Sequence, residues 1–163
     1  MAEMPAPTHY QPLDTPLAGK RVRATEGAEG LGAAIARTLA GQGTHPIVAD
    51  RDEAAADVLA REINGEAWEM GFLETAALES PRLEVDVLIN TAGVQAVAPI
   101  QDFEPAAFHR ILTLMLEVHF LLTRAALPDM YQRGNGRIIN ISSIHRLRAS
   151  GFKSAYVAAK ARA

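Results

Sequence analysis

The chain has 163 residues, of which 48% are apolar and 21% are charged, a composition typical of one globular domain. Its formal net charge of −3 gives no reason to expect a nucleic acid or an anionic membrane surface as a partner. Cysteine is absent, so disulfide bonds and thiolate metal sites are excluded, and no metal site is predicted.

The N-terminal residues 1–16 are polar and rich in proline, and they lack the basic and apolar regions of a signal peptide. We expect a flexible tail here and a cytoplasmic protein. The longest apolar stretch, residues 111–127, contains Glu117, His119 and Arg124. Because these polar side chains interrupt it, the stretch is predicted to be a helix of a soluble domain and not a membrane span.

Residues 17–163 alternate between strand-like and helical segments and are predicted to form one domain. The predicted strands are residues 21–25, 46–50, 67–70, 85–90 and 137–142. The predicted helices are residues 31–39, 53–63 and 105–131, the last of them in one or two pieces before a break at residues 134–136. Strands separated by helices of this length form right-handed βαβ units. We therefore predict an α/β fold, a Rossmann-like doubly wound parallel sheet with strand order 3-2-1-4-5.

The first turn between a strand and a helix, residues 25–32, reads Thr-Glu-Gly-Ala-Glu-Gly-Leu-Gly. Glycines there let the backbone approach a pyrophosphate that sits on the N-terminus of the following helix. Asp50 ends the second strand, where it can accept hydrogen bonds from an adenosine ribose but repels the 2′-phosphate of NADP, so NAD is favoured. Taken singly, the turn is weak evidence and Asp50 could simply end a strand; their order along the chain supports the dinucleotide site. The predicted cofactor contacts of this region are Thr25, Gly27, Gly30, Leu31, Gly32 and Asp50.

Tyr156 and Lys160 form a Tyr-x-x-x-Lys pair near the end of the chain. In a helix, positions i and i+4 share a face, so the two side chains would project side by side. A free tyrosine has a pKa of about 10, and a neighbouring ammonium lowers such a value towards the range useful for acid–base catalysis. Ser143, thirteen residues before Tyr156, could hydrogen-bond the substrate oxygen that gains or loses the proton. The pair also occurs by chance, and its weight here comes from the segments that precede it.

In this order, the segments resemble the short-chain dehydrogenase/reductase family over residues 17–163. The motifs that carry the resemblance are the glycine turn, Asn-Thr-Ala-Gly at residues 90–93, Ser143, and Tyr-Val-Ala-Ala-Lys at residues 156–160. The resemblance implies NAD-dependent hydride transfer between a carbinol carbon and nicotinamide, and a homo-oligomer. It implies that the cofactor is also bordered by Asn90, Ala92, Gly93, Tyr156 and Lys160. The implied catalytic residues are Ser143, Tyr156 and Lys160.

A narrower resemblance is to the 3-hydroxybutyrate dehydrogenase branch of that family. It is carried by residues 93–95 with 97–100, by Ser-Ser-Ile-His at residues 142–145, and by Phe-Lys-Ser-Ala-Tyr at residues 152–156. The resemblance implies a small 3-hydroxy acid as substrate, whose carboxylate would be held by a cation and by amide donors. The implied substrate-binding residues are Gln95, Ser143, His145 and Lys153. Taken alone, the histidine fits a solvated loop and the lysine an exposed charge near a helix start.

Five positions depart from the family pattern, and each is expected to weaken folding, cofactor binding or catalysis. Glu26 replaces the first glycine of the turn, where a phosphate would approach, and Glu29 adds a second carboxylate beside it. Arg23 lies in the middle of the central strand, where an unpaired buried charge is strongly destabilising. Gly71 replaces an acidic residue that contacts adenine, and Met115 stands where many members carry a catalytic asparagine.

The chain ends three residues after Lys160, before the C-terminal strands and the substrate lid that the resemblance implies. We therefore expect residues 137–142 to form an edge strand, and the helix that carries Tyr156 and Lys160 to be short. Two hypotheses of function follow. One is an NAD-dependent oxidoreductase of the 3-hydroxybutyrate type. The other is a truncated, non-catalytic remnant that binds nucleotide weakly or packs against a partner.

Overall fold

The computed structural model describes residues 17–78 and 82–162, so the predicted N-terminal tail lies outside the described residues. The strands form one parallel sheet in the order β3-β2-β1-β4-β5, which confirms the predicted fold class and strand order. These strands are β1 (Arg21–Thr25), β2 (His45–Asp50), β3 (Glu66–Glu69), β4 (Val87–Asn90) and β5 (Arg137–Asn140). Because the strands are parallel, their carboxyl ends meet at one edge of the sheet, where α/β folds bind ligands.

The helices begin and end close to their predicted positions because the local signals are strong. They are α1 (Gly30–Ala40), α2 (Glu53–Glu62), α3 (Pro105–Leu112), α4 (Val118–Arg133) and α5 (Ser154–Arg162). The Asp52 side chain accepts the N–H of Ala55 at 3.0 Å and caps α2. Pro105 occupies the first turn of α3, where its missing N–H is tolerated. Gly134, with a φ of 65°, ends α4 in the left-handed conformation.

A π-helical turn, Thr113–Glu117, joins α3 to α4, so residues 105–133 form one helical segment. Its three consecutive residues Thr113, Leu114 and Met115 are all buried. A regular α-helix advances about 100° per residue and cannot easily direct three neighbours into one core, whereas a π turn widens the buried face. The predicted segment is therefore continuous, with an irregular turn beside the carboxyl ends of the strands.

The main core lies between the sheet and the layer of α3, α4 and α5. Leu88 of β4 packs there with Met115 and Leu122. On the opposite face, α1 and α2 pack small residues such as Ala33 against Val48 of β2. Helices on both faces of the sheet are the arrangement that buries a parallel sheet. These two helix layers place the glycine turn of residues 25–32 on one side of the carboxyl ends of the strands and α5 on the other side.

The segment Pro105–Arg133 is long and apolar enough to cross a membrane by length and composition alone, with a mean hydropathy of 1.4. However, half of the 18-residue stretch that has this hydropathy is buried inside the domain. Val118, Leu121 and Leu122 pack in the main core. The core helix of a globular domain passes the same test, and we interpret this segment as such a helix, in agreement with its sequence.

Arg23 is buried in β1, as its position in the sequence predicts. It is 9% exposed, and its Nε and Nη1 have no hydrogen-bond partner in the described part of the chain. Its guanidinium carbon lies 3.9 Å from the ring centroid of Trp68, a cation–π contact that offsets part of the cost of burial. Burial lowers the pKa of Arg23 to about 10, so the side chain stays charged at neutral pH.

β5 lies at the edge of the sheet, as expected. It pairs with β4 on one side, and no other described strand pairs with it. Ile139 is 46% exposed at this edge. β5 is shorter than predicted, because the chain leaves the ladder after Asn140 and turns towards the site.

Candidate active site

A cleft of about 660 Å³ opens at the carboxyl ends of the strands. Its walls are the glycine turn, residues 50–52 after β2, residues 71–74 after β3, and the loop after β4, with Arg110 and Leu114 from the long helical segment. Ligand pockets commonly have volumes of about 300 to 1,000 Å³, so the cleft can hold a large part of a dinucleotide. It lies where the chain connections from β1 and β4 diverge, the usual nucleotide position in such sheets.

The glycine turn packs closely against β1 and α1. A Cβ on Gly32 would overlap the carbonyl group of Glu26, and one on Gly27 would lie 2.9 Å from a backbone oxygen of β1. These two glycines are therefore needed for the turn to fold. Gly30 has a φ of +52° and nothing within 4 Å of an added Cβ, and Leu31 beside it is 56% exposed. This side of the turn is thus accessible at the N-terminus of α1, where the helix dipole favours a phosphate.

Asp50 lines the cleft and also holds the glycine turn in place. Its Oδ2 accepts the backbone N–H of Ala28 at 3.1 Å, and its Oδ1 accepts that of Asp52 at 3.1 Å. The side chain is 9% exposed, so its position is fixed. A carboxylate offers about four lone-pair sites, which leaves acceptor capacity for ribose hydroxyls. The sequence predicts the ribose contact but not this bracing role.

Thr25 and Asn90 are fully buried at the ends of β1 and β4, and each holds neighbouring parts of the site in place. The Thr25 Oγ1 accepts the N–H groups of Thr91 and Ala92, each at 3.0 Å, and the Thr91 hydroxyl donates to the Thr25 carbonyl. The Asn90 Nδ2 donates to the Asn140 Oδ1 at 2.8 Å, which ties β4 to β5. Thr25 thus fixes the loop after β4 against the end of β1, where the glycine turn begins. Their contact with a cofactor stays a prediction.

The Glu26 side chain spans the cleft. Its backbone has a φ of 48°, in the left-handed region, and its Oε2 accepts the N–H of Gly93 at 3.0 Å. Burial raises the pKa of this carboxyl, and the charge of Asp50 adds to the effect, while Arg51 and Lys160 oppose it. The sequence places this carboxylate at the phosphates. In the structure the carboxylate extends beyond the glycine turn to the loop after β4, because the exposed N–H of Gly93 donates to it.

The three predicted catalytic residues follow β5 and lie on α5. The Ser143 Oγ accepts the N–H of His145 at 3.2 Å and caps a short 3-10 turn, which leaves its own O–H free to donate. The Tyr156 ring meets the His145 ring edge to face, with centroids 5.9 Å apart. Lys160 is buried, and its Nζ donates to the Ile141 carbonyl at 2.5 Å. Burial lowers the pKa of Lys160, and the nearby Glu26 carboxylate partly opposes the shift.

This arrangement agrees with the comparisons with known proteins. The sequence profile of the short chain dehydrogenase family matches residues 20–163. The chain belongs to the short-chain dehydrogenase family. It is 38% identical over 159 residues to the D-beta-hydroxybutyrate dehydrogenase of Cupriavidus necator, a match that covers 88% of this chain and 60% of that enzyme. It is also 38% identical over 150 residues to the D-beta-hydroxybutyrate dehydrogenase of Rhizobium meliloti, covering 83% of this chain and 58% of that enzyme.

A solved relative has the same fold. The crystal structure of a gluconate 5-dehydrogenase from Burkholderia cenocepacia, in complex with NADP and tartrate, is 31% identical and superposes with a TM-score of 0.82. The match covers 90% of this chain and 62% of that one. These comparisons confirm the family, the fold and the resemblance to 3-hydroxybutyrate dehydrogenases. This short-chain dehydrogenase chain spans about 60% of the length of its relatives.

Three of the residues predicted to bind substrate gather beside Tyr156 of the short-chain dehydrogenase site. The Lys153 Nζ lies 3.3 Å from the His145 Nε2, and the His145 Nδ1 lies 3.3 Å from the Arg148 carbonyl. An ammonium only donates, so Nε2 must accept and Nδ1 must carry the proton. Ser143 is joined to the same turn through the His145 N–H. The structure therefore brings a cation and a hydroxyl to His145, whose ring contacts the Tyr156 ring.

Gln95 is the fourth predicted substrate contact, and it lies on the exposed loop after β4. The structure ties this loop to the segment before α5, since the Ala98 N–H donates to the Phe152 carbonyl at 3.0 Å. Phe152 itself has a φ of 64°, which is unusual for a bulky residue and shapes the turn that presents Lys153. The contact joins the loop that carries Gln95 to the segment before α5, and the role of Gln95 stays a prediction.

His119 is a buried polar residue that the sequence marks only as an interruption of the apolar stretch and not as a residue of the site. The structure buries it to 4% exposure, and neither ring nitrogen has a hydrogen-bond partner among residues 17–78 and 82–162. Burial lowers its pKa to about 4, and the charge of Lys160 contributes. Its position four residues after Met115, in a long apolar stretch, is the signal that could have placed it on the buried face.

Proposed function

We propose that this chain contributes the cofactor-binding and catalytic part of an NAD-dependent oxidoreductase that interconverts 3-hydroxybutyrate and acetoacetate. The observation that carries the proposal is the cluster of Lys153, His145 and Tyr156. In a 3-hydroxy acid, the carboxylate lies two carbons from the carbinol, so a cation beside the acid–base group suits both ends of the molecule. The names of the two relatives at 38% identity support the same substrate.

Asp50 supports NAD over NADP as the cofactor. Its carboxylate is buried and held by two backbone N–H groups, so it cannot swing away from a 2′-phosphate. A fixed anion there favours ribose hydroxyls, which can donate to it, and repels a phosphate. Arg51 also lines the cleft and is the cation with which a 2′-phosphate would pair. The relative affinities of the chain for NADH and NADPH therefore test the preference. The NADP in the Burkholderia cenocepacia structure belongs to that protein.

Each catalytic side chain has a role in this proposal. NAD, when bound, supplies the nicotinamide carbon that accepts the hydride from the substrate. Tyr156 takes the hydroxyl proton during oxidation and returns it during reduction. Ser143 donates its free O–H to the substrate oxygen and keeps that oxygen at the phenol. Lys160 shares a face of α5 with Tyr156, and its buried ammonium holds positive charge there and binds the nicotinamide ribose.

The second hypothesis, a chain that binds nucleotide weakly without turnover, is favoured by Glu26. Its carboxylate accepts the N–H of Gly93 and so occupies part of the cleft. A negative charge there also repels a pyrophosphate. The two hypotheses predict different results for this sequence extended by the C-terminal part of a relative.

The test uses an extended chain, which we define as this sequence followed by the C-terminal part of the Cupriavidus necator relative beyond the match. We expect NAD-dependent oxidation of D-3-hydroxybutyrate, followed by NADH absorbance. Tyr156→Phe should lower kcat by a factor of about a hundred to ten thousand. Tyr131→Phe, at an exposed tyrosine of α4, is the matched control and should have no effect. NADH binding without turnover in the extended chain would favour the second hypothesis.

A further inference from the structure

His119 is a buried imidazole to which the proposed function assigns no role. It follows Met115 by one helical turn, so the two side chains share the face of the helical segment that packs into the core. The ring is 4% exposed, and its two nitrogens have no hydrogen-bond partner in the described part of the chain. Buried polar side chains nearly always have a partner, from protein or water, so this ring requires one.

Polar groups from two other elements lie near the ring: a backbone carbonyl of the loop after β4 and an ammonium of α5. The carbonyl of Ala92, after β4, lies near the ring but outside hydrogen-bonding geometry. The ammonium of Lys160 enters from α5 and lies 4.0 Å from the place that a Cβ on Gly93 would occupy. The terminal methyl of Met115 lies 3.8 Å from the same place, so it forms an apolar wall.

The imidazole and the ammonium have complementary hydrogen-bonding capacity. Burial and the charge of Lys160 lower the pKa of His119 to about 4, so at neutral pH the ring has one donor and one acceptor nitrogen. An ammonium has three donors, and the Ile141 carbonyl accepts one of them. Two donors of the ammonium therefore remain. One of them, the acceptor nitrogen of His119 and the Ala92 carbonyl are three possible partners, and a buried water typically makes about three hydrogen bonds.

We propose that His119 is a positioning residue for Lys160, and that the imidazole and the ammonium share one buried water that fixes the ammonium under the cleft. The catalytic consequence rests on the proposed function, whereas the contact itself does not. Lys160 is the charged group that faces the ring from α5, and the Glu26 carboxylate faces Lys160 from the glycine turn. Glu117 and Arg124, on the same helical segment as His119, are exposed.

The lysine content makes the test direct, because the sequence contains Lys20, Lys153 and Lys160 as its three lysines. NMR of the chain labelled with carbon-13 at the lysine Cε follows the titration of each, and a Lys160→Arg spectrum assigns the resonance of interest. We expect His119→Leu, which removes the acceptor, to lower the Lys160 midpoint by about half a pH unit or more. His119→Gln retains a donor and an acceptor and should keep the midpoint near the wild-type value.

The Lys20 and Lys153 resonances report whether the variants keep the fold. An unchanged Lys160 midpoint in folded His119→Leu would overturn the inference. If His119→Leu does not fold, His119→Met fills the same space with a flexible apolar chain and gives the same comparison.

Turnover in the extended chain separates this inference from the proposed function. His119→Leu should lower kcat severalfold with the KM for 3-hydroxybutyrate unchanged, and His119→Gln should restore it. A shifted Lys160 midpoint in an extended chain without any turnover would support the positioning contact and contradict the proposed function. Normal turnover together with an unshifted midpoint would support the proposed function and overturn the inference.

Discussion

At the level of single residues, Glu26 combines three features that bear on the cleft. Its left-handed φ of 48° is uncommon for a residue with a Cβ, its carboxylate accepts the N–H of Gly93, and burial raises its pKa. A pyrophosphate bound nearby would raise that pKa further, so binding would take up a proton. The affinity of the cleft for a dinucleotide should therefore increase as the pH falls through the raised pKa of Glu26.

The variant Glu26→Gln tests this effect because it removes the charge and keeps an acceptor for Gly93. We expect NADH to bind roughly fivefold more tightly near neutral pH, a difference of about 1 kcal/mol. The pH dependence of binding that we expect for the wild type should be absent in this variant. Titration by nicotinamide fluorescence at several pH values measures both. Glu29→Gln, at the exposed neighbouring carboxylate, is the control, and equal gains in both variants would contradict a specific role for Glu26.

Arg23 is the residue whose replacement should stabilise the fold. Two of its nitrogens are buried without a partner among the residues that the structure describes, and the contact with Trp68 offsets only part of the desolvation. We expect Arg23→Met to raise the free energy of unfolding by about 1 to 2 kcal/mol, measured by urea denaturation. Arg21→Met is the matched control in the same strand. It breaks the paired hydrogen bonds to Glu66, at 2.9 and 3.1 Å, and should bring no gain.

At the level of elements, the sequence predicts strands and helices well where turn and cap residues are explicit. It does not predict the π turn at Thr113–Glu117, because no glycine or proline marks it and the signal is only a run of buried apolar residues. It also begins β4 two residues early. β4 begins later because of Asp86. Its carboxylate accepts the N–H of Arg21 at 2.9 Å and lies 3.6 Å from the Lys20 ammonium, so Asp86 caps the end of the sheet.

The edge position of β5 leads to a prediction about local stability. β5 pairs on one side and leaves Ile139 half exposed, whereas β4 pairs on both sides and its Leu88 is fully buried. Amide hydrogen exchange should therefore be faster in Arg137–Asn140 than in Val87–Asn90. Mass spectrometry of peptides that cover the two strands measures the difference in the 163-residue chain. Slow exchange in both strands would mean that another surface covers the edge, most simply a second copy of the chain.

At the level of the whole molecule, the site assembles from segments that are far apart in the sequence. The motifs predict which residues approach the cleft, because the carboxyl ends of parallel strands meet at one edge. They do not predict which side chains touch. The contact of Glu26 with Gly93 spans 67 residues, and His119 becomes buried to 4% exposure only in the packed domain. Contacts of this kind depend on side-chain packing in three dimensions, and a spacing pattern carries no information on them.

Lys153, which we propose to bind the substrate carboxylate, gives a prediction that requires the extended chain. Lys153 lies 3.3 Å from the His145 Nε2 and would meet the substrate carboxylate, away from the bonds that react. In the extended chain, Lys153→Ala should therefore raise the KM for 3-hydroxybutyrate by about tenfold and change kcat little, because a charged hydrogen bond contributes about 1.5 kcal/mol or more to binding. Steady-state kinetics measure both constants.

A substrate without a carboxylate provides the sharper comparison for Lys153. Oxidation of 2-butanol, which keeps the secondary alcohol but lacks the anion, should be slow in the wild-type extended chain and insensitive to Lys153→Ala. Lys20→Ala, at a lysine paired with Asp86 far from the cleft, should change neither reaction. If Lys153→Ala impairs the alcohol as much as the hydroxy acid, the ammonium supports the turn around His145 and does not bind the carboxylate. The selectivity of the cleft for an acid would then have to come from another group on the exposed loop that carries Gln95.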